Sequence, residues 1–239
     1  MNAESLFISG TDTGVGKTLV TALIALHLQA QGMDVGVMKP FASGCIRVQG
    51  QLVSEDAQWL WSVTGVSDEL ELINPLRYEE PLAPLVAARR LGRDTSGDFA
   101  ICEAAFKELK HRHDFVLVEG VGGLLVPLAQ EKSGRILDCS DLAGILELPV
   151  VVVARRTLGT INHTLLTCRA TLLPPSHFSS LVFCDAAPVA DDDIAAQTSP
   201  DLICELTGLR CCGQVPFLTD LSRSALQRAA QSLKVPTVG

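Results

Sequence analysis

A lysine and a threonine that end a glycine-rich run are the residues of this chain best suited to phosphate chemistry. The run reads Gly-Thr-Asp-Thr-Gly-Val-Gly-Lys-Thr and ends at Lys17 and Thr18. An apolar segment precedes it and a helical apolar pattern follows it, and this order of strand, loop and helix is typical of a phosphate-binding loop (P-loop). Lys17 would place its charge between phosphoryl oxygens, and the Thr18 hydroxyl would bind Mg²⁺. The loop residues whose backbone N–H groups would surround the phosphates are Asp12, Thr13, Gly14, Val15 and Gly16.

The loop is a variant of the usual pattern. Gly10 and Gly16 are one residue farther apart than usual, and Thr11 stands where a glycine is expected. The alternative is a glycine-rich turn that carries a surface lysine. We favour the phosphate-binding loop because Gly-x-Gly-Lys-Thr opens a helix directly after a strand.

Lys39 ends the second apolar run and is followed by Ser43 and Gly44. Ligands of parallel sheets bind at the carboxyl ends of the strands. A lysine at that position can therefore point into the phosphate site, while Ser43 could offer a hydroxyl to an oxyanion. The alternative for Lys39 is an exposed loop lysine.

Two carboxylates could complete a magnesium site beside the loop. Glu119 ends an apolar run, and Gly120, Gly122 and Gly123 after it would let the backbone approach a substrate closely. Asp56 is the second candidate, although Asp is also favoured at the start of a helix. Thr18, Asp56 and Glu119 together form a set of hard oxygen ligands, which suits Mg²⁺ better than Zn²⁺. Two lysines and the metal could offset the charge that develops on a transferring phosphoryl group.

The elements that would position these residues alternate between strand and helix. The apolar runs are largely continuous, as in strands buried on both faces of a parallel sheet. The pattern predicts an α/β fold with a doubly wound, mostly parallel sheet, helices on both faces and one domain over residues 1–239. The predicted strands are Ser5–Ser9, Val35–Lys39, Phe115–Glu119, Val150–Ala154, Leu181–Cys184 and Cys211–Val215. Helices are predicted near 18–31, 55–63, 82–91, 98–112, 139–147, 161–173, 200–207 and 222–233.

The bulk composition limits the classes of partner. A net charge of −8 argues against general nucleic-acid binding, and no apolar run approaches the length of a membrane span. The first residues lack the features of a signal peptide, and the eight cysteines are scattered. We therefore expect reduced thiols, a cytoplasmic location and no membrane partner.

Taken together, the motifs resemble those of the dethiobiotin synthetases, ATP-dependent ring-closing enzymes of biotin synthesis. The similarity spans residues 8 to 218. The segments that carry it are 10–18, 39–44, 56–57, 74–75, 80–84, 118–123, 158–163 and 213–218.

The resemblance implies a P-loop NTPase fold and a specific reaction. In this family, 7,8-diaminopelargonic acid and CO₂ form a carbamate, which takes the γ-phosphate of ATP. The second amine then closes a cyclic urea and releases phosphate. By resemblance, Lys17, Lys39, Thr13 and Ser43 would act at the reacting groups, with Mg²⁺ held by Thr18, Asp56 and Glu119. Gly122 and Gly123 would also face the substrate.

The resemblance also implies a homodimer with the active site at its interface. Gly159, Thr160 and Asn162 would bind the substrate carboxylate from the partner subunit, at the start of a helix. Cys184, Pro216, Phe217 and Leu218 would lie at the nucleotide. The family usually has Asn where this chain has Cys184, and Cys is a poor hydrogen-bonding residue. We therefore predict a relaxed preference for ATP over CTP or GTP.

Three other classes of protein share parts of this pattern. A P-loop switch ATPase that regulates partners would carry a lysine where this chain has Asp12. A glutamine-dependent cobyrinate-amidating enzyme would need a glutaminase domain, for which 239 residues leave no room. A non-catalytic binding protein would not need Lys17, Lys39 and Glu119 together.

Overall fold

A six-stranded parallel sheet forms the centre of the protein in the computed structural model, which describes residues 4–170 and 177–235. The strands are β1 (Glu4–Gly10), β2 (Val35–Met38), β3 (Phe41–Ala42), β4 (Ile46–Val48), β5 (Gln51–Val53), β6 (Leu76–Arg77), β7 (Phe115–Glu119), β8 (Pro127–Gln130), β9 (Ile136–Asp138), β10 (Pro149–Ala154), β11 (His177–Cys184) and β12 (Arg210–Val215). The helices are α1 (Lys17–Ala30), α2 (Glu55–Thr64), α3 (Leu70–Ile73), α4 (Pro84–Arg90), α5 (Asp98–Arg112), α6 (Cys139–Ile145), α7 (Thr160–Ala170), α8 (Ile194–Thr207) and α9 (Arg223–Ala230).

The order of strands across the sheet is β12-β11-β10-β1-β7-β2, and every neighbouring pair is parallel. β1 lies inside the sheet, with β10 on one side and β7 on the other. The carboxyl ends of β1, β7 and β2 are therefore neighbours, which brings together segments separated by up to about 100 residues of chain. The predicted doubly wound, mostly parallel sheet is confirmed.

Alternate residues of the strands pack into two apolar layers, one on each face. Leu6 and Ile8 of β1 pack with α1, α2 and α9, whereas Phe7 packs on the opposite face with α4, α5, α6 and α8. Both faces of the central strands are thus covered, which is why their sequences are continuous apolar runs rather than alternating ones.

The predicted elements differ from the observed ones at a few places. α8 begins at Ile194 rather than near 200, because Asp193 caps it by accepting a hydrogen bond from the N–H of Ala196 at 3.0 Å. Pro200 therefore lies inside the helix and does not start it. The last predicted residues of the helix over 161–173 lie outside the described residues. The antiparallel pairs β4–β5 and β8–β9 were not predicted.

Among the described residues, no helix is both long and apolar enough to cross a membrane. Among the described residues, Cys45, Cys102, Cys139, Cys184, Cys204, Cys211 and Cys212 are free thiols.

Candidate active site

The glycine-rich loop connects β1 to α1 and is anchored at both ends. The Thr11 N–H donates to the Val153 carbonyl of β10 at 3.0 Å, and the Val15 side chain is fully buried. Gly16 adopts φ +92°, and a Cβ there would lie 2.4 Å from Sγ of Cys184, so both its conformation and its neighbour require glycine. These contacts fix the loop against the sheet edge.

Lys17 points back over this loop. Its Nζ donates to the Asp12 carbonyl at 2.9 Å, and the side chain is buried. Burial lowers the pKa of Lys17, an effect that the nearby Glu119 carboxylate opposes. A buried ammonium held over the loop interior is the charge that a bound phosphate would meet.

Lys39 connects the two carboxylates that the sequence singles out. Its Nζ donates to Oε1 of Glu119 at 2.6 Å and to Oδ2 of Asp56 at 2.6 Å. Burial alone would lower the pKa of Lys39, but the charges and hydrogen bonds of Glu119 and Asp56 outweigh it and raise that pKa. The ammonium is therefore retained in the site although it is almost completely buried.

Thr18 joins the same cluster, since its Oγ1 donates to Oε1 of Glu119 at 2.8 Å. Glu119 is only 1% exposed, and its second oxygen, Oε2, is buried without a hydrogen-bond partner among the described residues. The three predicted magnesium ligands, Thr18, Asp56 and Glu119, are thus brought together around the Lys39 ammonium.

The backbone of Lys39 is held by Asn74, for which no role at the site is predicted from the sequence. The Asn74 amide donates to the Lys39 carbonyl at 2.5 Å, and the Lys39 N–H donates to the Ile73 carbonyl at 2.7 Å. Asn74 is buried and comes just before Pro75. A buried Asn before a proline was the available signal, but nothing in the sequence names its partner.

A cavity of about 660 Å³ opens above this cluster. Eleven of the residues predicted to lie at the site line it: Thr13, Gly14, Gly16, Lys17, Thr18, Lys39, Ser43, Asp56, Glu119, Gly120 and Gly122. One wall comes from Pro81, Leu82, Ala83 and Pro84, and Val126 and Ala186 also line the cavity. No site role was predicted for these wall residues individually.

The other predicted site residues do not line this cavity. Asp12 is exposed and meets Arg155, Val15 is buried behind the loop, and Gly123 lies beside the loop backbone. Gly159 and Asn162 are exposed, and Thr160 is buried at the start of α7. Pro216, Phe217 and Leu218 follow β12, where Leu218 packs against the apolar layer of α1.

The Cys184 side chain is not placed to contact a nucleotide base. Its side chain is fully buried beneath Gly16, and burial raises its pKa to about 12. A bound base could reach this thiol only if the loop moved.

Known proteins with similar sequences show the family to which the chain belongs. The chain matches the family described as AAA domain over residues 4–225. It is 40% identical to the ATP-dependent dethiobiotin synthetase BioD of Thermodesulfovibrio yellowstonii, over 94% of this chain and 93% of that protein. The chain belongs to the dethiobiotin synthetase family.

Two further relatives with the same name extend this similarity. The dethiobiotin synthetase of Nitrosopumilus maritimus is 34% identical over 94% of both chains, and that of Bacillus licheniformis is 37% identical over 92% of this chain and 88% of that protein. The resemblance found in the sequence is therefore confirmed.

Solved structures confirm the P-loop NTPase type of fold. The signal recognition particle 54 kDa protein of Aeropyrum pernix, in complex with GDP, superposes with a TM-score of 0.55 at 14% identity. The match covers 96% of this chain and 46% of that one. A MinC:MinD cell division complex of Aquifex aeolicus matches with a TM-score of 0.50 at 14% identity, over 95% of this chain and 86% of that one.

Proposed function

We propose that this protein catalyses the ATP-dependent carboxylation and ring closure of 7,8-diaminopelargonic acid with CO₂, giving dethiobiotin, ADP and phosphate. Membership of the dethiobiotin synthetase family supports the reaction. The observation that carries the proposal is the convergence of Lys17, Lys39, Thr18 and Glu119 on one cavity beside the loop.

The residues at this site fit Mg²⁺. Glu119 has a buried oxygen without a hydrogen-bond partner in the part of the chain that the structure describes, and such a carboxylate oxygen is costly unless a cation or a donor meets it. Within 4–170 and 177–235, no three His, Cys, Asp or Glu side chains are grouped as a metal site. Because the proposed set of Thr18, Asp56 and Glu119 has only two carboxylates and one hydroxyl, it would leave positions for water and phosphate oxygens, as Mg²⁺ prefers. The metal, when bound, would offset negative charge on the phosphates.

Two lysines supply the protein's own positive charge. Lys17 reaches over the loop and would hold the phosphate oxygens, while Lys39 lies between Asp56 and Glu119 and would face the carbamate. Thr13 and Ser43 line the same cavity and would donate hydroxyl hydrogen bonds to the reacting oxygens. Holding amine, carbamate and γ-phosphate in line supplies much of the rate, since positioning dominates phosphoryl transfer.

We also propose that two subunits complete the site. Gly159, Thr160 and Asn162 lie outside the cavity of their own chain, which is what a role in the neighbouring subunit's site requires. Two exposed leucines lie on the same segment, Leu158 at 91% and Leu166 at 59%. An interface that covers them would bring Asn162 and the start of α7 to the substrate carboxylate.

Base selectivity stays a prediction. With Cys184 buried and no amide side chain at its position, we expect a relaxed preference for ATP over CTP or GTP in turnover. A strong ATP preference would contradict this expectation, unless backbone groups near 216–218 contact the base. The cytoplasmic location likewise stays a prediction.

One assay tests the central proposal. Purified protein is mixed with the diamine, bicarbonate, Mg²⁺ and ATP, and the cyclic urea is sought by mass spectrometry. If ATP is consumed at the same rate without diamine and bicarbonate, a switch ATPase that regulates partners becomes the better explanation.

Glu119→Gln should slow product formation and weaken the Mg²⁺ dependence of the reaction. Near-normal product formation by this variant would contradict the proposed role of Glu119.

The shared site has its own test. Lys17→Ala and Asn162→Ala subunits are inactive separately if both residues are needed. Mixed in equal amounts, they should recover about a quarter of wild-type activity, because half of the dimers are mixed and each holds one intact site. No recovery after confirmed subunit exchange would show that Asn162 serves its own chain.

A further inference from the structure

Asp12 places a carboxylate inside a loop that would have to surround a polyphosphate. Its side chain is 58% exposed. Oδ1 accepts a hydrogen bond from the Thr13 N–H at 2.7 Å, and the backbone carbonyl accepts one from Lys17 Nζ at 2.9 Å. These two bonds shape the loop, while the Asp12 carboxylate lies outside the main cavity and keeps its negative charge on the loop itself.

Arg155 is the cation that meets this charge. Its Nη2 lies 3.2 Å from Oδ2 of Asp12 and 3.4 Å from the Thr13 carbonyl. The Arg155 carbonyl accepts a hydrogen bond from Thr160 Oγ1 at 2.6 Å, which ties its backbone to the first turn of α7. A guanidinium on a fixed backbone is therefore held against the outer side of the loop.

The neighbouring arginine cannot replace it. Arg156 contacts both carboxylate oxygens of Asp185, with Nε at 3.1 Å from each, and Asp185 is buried. Arg155 instead faces a smaller cavity of about 260 Å³, which is lined by Gly14 and residues 185–189. Of the two consecutive arginines, only Arg155 contacts the loop among the described residues.

We propose that Arg155 is a positioning residue for nucleotide binding, which neutralises Asp12 so that the loop can accept a polyphosphate. An unpaired carboxylate on this loop would repel phosphate oxygens across the loop, and an arginine that is already paired removes this repulsion without occupying the phosphate site. The inference rests on the proposed ATP site, and it concerns how that site tolerates an acidic residue.

Binding of ATP with Mg²⁺, measured by titration calorimetry, tests the inference. At low ionic strength, Arg155→Gln should weaken binding by roughly 5- to 20-fold, the scale of one uncompensated charge close to a phosphate in a solvated site. Adding Asp12→Asn to Arg155→Gln should restore binding to within about threefold of wild type, because no charge then needs balancing. Arg155→Lys keeps the charge and should bind like wild type. The defect of Arg155→Gln should shrink with added salt, because both groups are partly exposed.

The binding results distinguish neutralisation of Asp12 by Arg155 from two other roles, direct contact with the phosphates and shaping of the loop. If the double variant binds as weakly as Arg155→Gln, Arg155 acts by touching the phosphates or by shaping the loop, and the inference is wrong. Unchanged binding by Arg155→Gln also overturns it. If Arg155→Gln does not unfold cooperatively, Asp12→Asn alone decides: its amide oxygen can still accept from Thr13, and ATP should bind more tightly at low salt. Equal or weaker binding would contradict the inference.

A matched control removes the same charge elsewhere. Arg228 is exposed on α9, whose Ala230 carbonyl contacts His27 in the last turn of α1, at the end away from the loop. Arg228→Gln should leave ATP binding unchanged. If wild type binds no ATP, the proposed function itself fails, whereas wild-type binding with the wrong pattern among the variants refutes only the role of Arg155.

Discussion

Replacing Lys39 by methionine should remove the ammonium that pairs with Asp56 and Glu119, and should leave the buried Glu119 carboxylate without an ion-pair partner. Lys39 Nζ lies 2.6 Å from Oε1 of Glu119 and 2.6 Å from Oδ2 of Asp56. Asp56 is 58% exposed in its side chain and can be solvated, so its loss of the pair should cost little. Glu119 is 1% exposed and cannot be solvated, so the cost of Lys39→Met should come mainly from this residue.

The free-energy cost of Lys39→Met has an upper limit that depends on pH. A buried carboxylate that has lost its ion-pair partner can become neutral by taking up a proton. For a carboxyl group with an ordinary pKa of about 4.3 in the unfolded chain, protonation costs about 3.7 kcal/mol at pH 7 and about 1 kcal/mol at pH 5. The free energy of unfolding of Lys39→Met should therefore fall below that of wild type by about 3 kcal/mol at pH 7 and by about 1 kcal/mol at pH 5. Stability is lost as pH rises, since the folded variant then holds a proton that the unfolded chain has released.

Urea unfolding at both pH values, without added Mg²⁺, measures this difference. The matched control is Lys107→Met, which removes an exposed lysine that pairs with Glu103 along α5 and should cost under about 0.5 kcal/mol at either pH. Adding Mg²⁺ should stabilise Lys39→Met more than wild type, because the cation then meets oxygens that the ammonium otherwise occupies.

The reasoning is refuted if Lys39→Met loses less than about 1 kcal/mol at pH 7, or if the loss is the same at pH 5. Adding Glu119→Gln to the variant removes the buried charge and should recover most of the stability. A double variant less stable than Lys39→Met would show that packing, not charge, causes the loss.

Three other results are expected at the loop. Lys17→Ala should abolish product formation, measured by mass spectrometry, while cooperative unfolding is retained, and normal product formation would contradict its role. Gly16→Ala should lower the free energy of unfolding by about 2–4 kcal/mol, because a side chain at φ +92° is strained and its Cβ would lie 2.4 Å from Sγ of Cys184. Cys184→Ala should recover part of this loss in urea unfolding, and no recovery would exclude the clash as a cause. ATP binding just below pH 10.5 should take up a proton, because burial lowers the pKa of Lys17 and phosphate would raise it again. Calorimetry in buffers of different protonation enthalpy measures the uptake, and proton release would contradict it.

The central sheet could be predicted from the sequence because its strands are buried on both faces. Such strands are continuous apolar runs, and all six predicted runs form the sheet. The hairpin of β4 and β5 was missed because its turn uses Gln49 at φ +50° before Gly50, and Gln is not a residue that indicates such a turn. The start of α8 was missed because Pro200 resembles a first-turn proline, whereas the Asp193 cap lies seven residues earlier.

The site was predictable where topology alone brings residues together. Lys17, Lys39 and Glu119 follow neighbouring strands, and the order of strands makes them meet. The hydrogen bond from Asn74 to the Lys39 carbonyl and the contact between Asp12 and Arg155 were not predictable. Both join loops whose paths depend on packing, and no periodicity in the sequence records such a pairing.

The alkylation rate of Cys184, which lies beneath the loop, would report how often the loop opens. An alkylating reagent can reach Cys184 only after Gly16 lifts away from it, since the side chain has no exposed surface. When the loop recloses faster than the reagent reacts, the labelling rate relative to a free thiol equals the fraction of time that the loop is open. Peptide mapping would separate this signal from the other seven thiols, and a nucleotide held by the loop should slow it in proportion to occupancy.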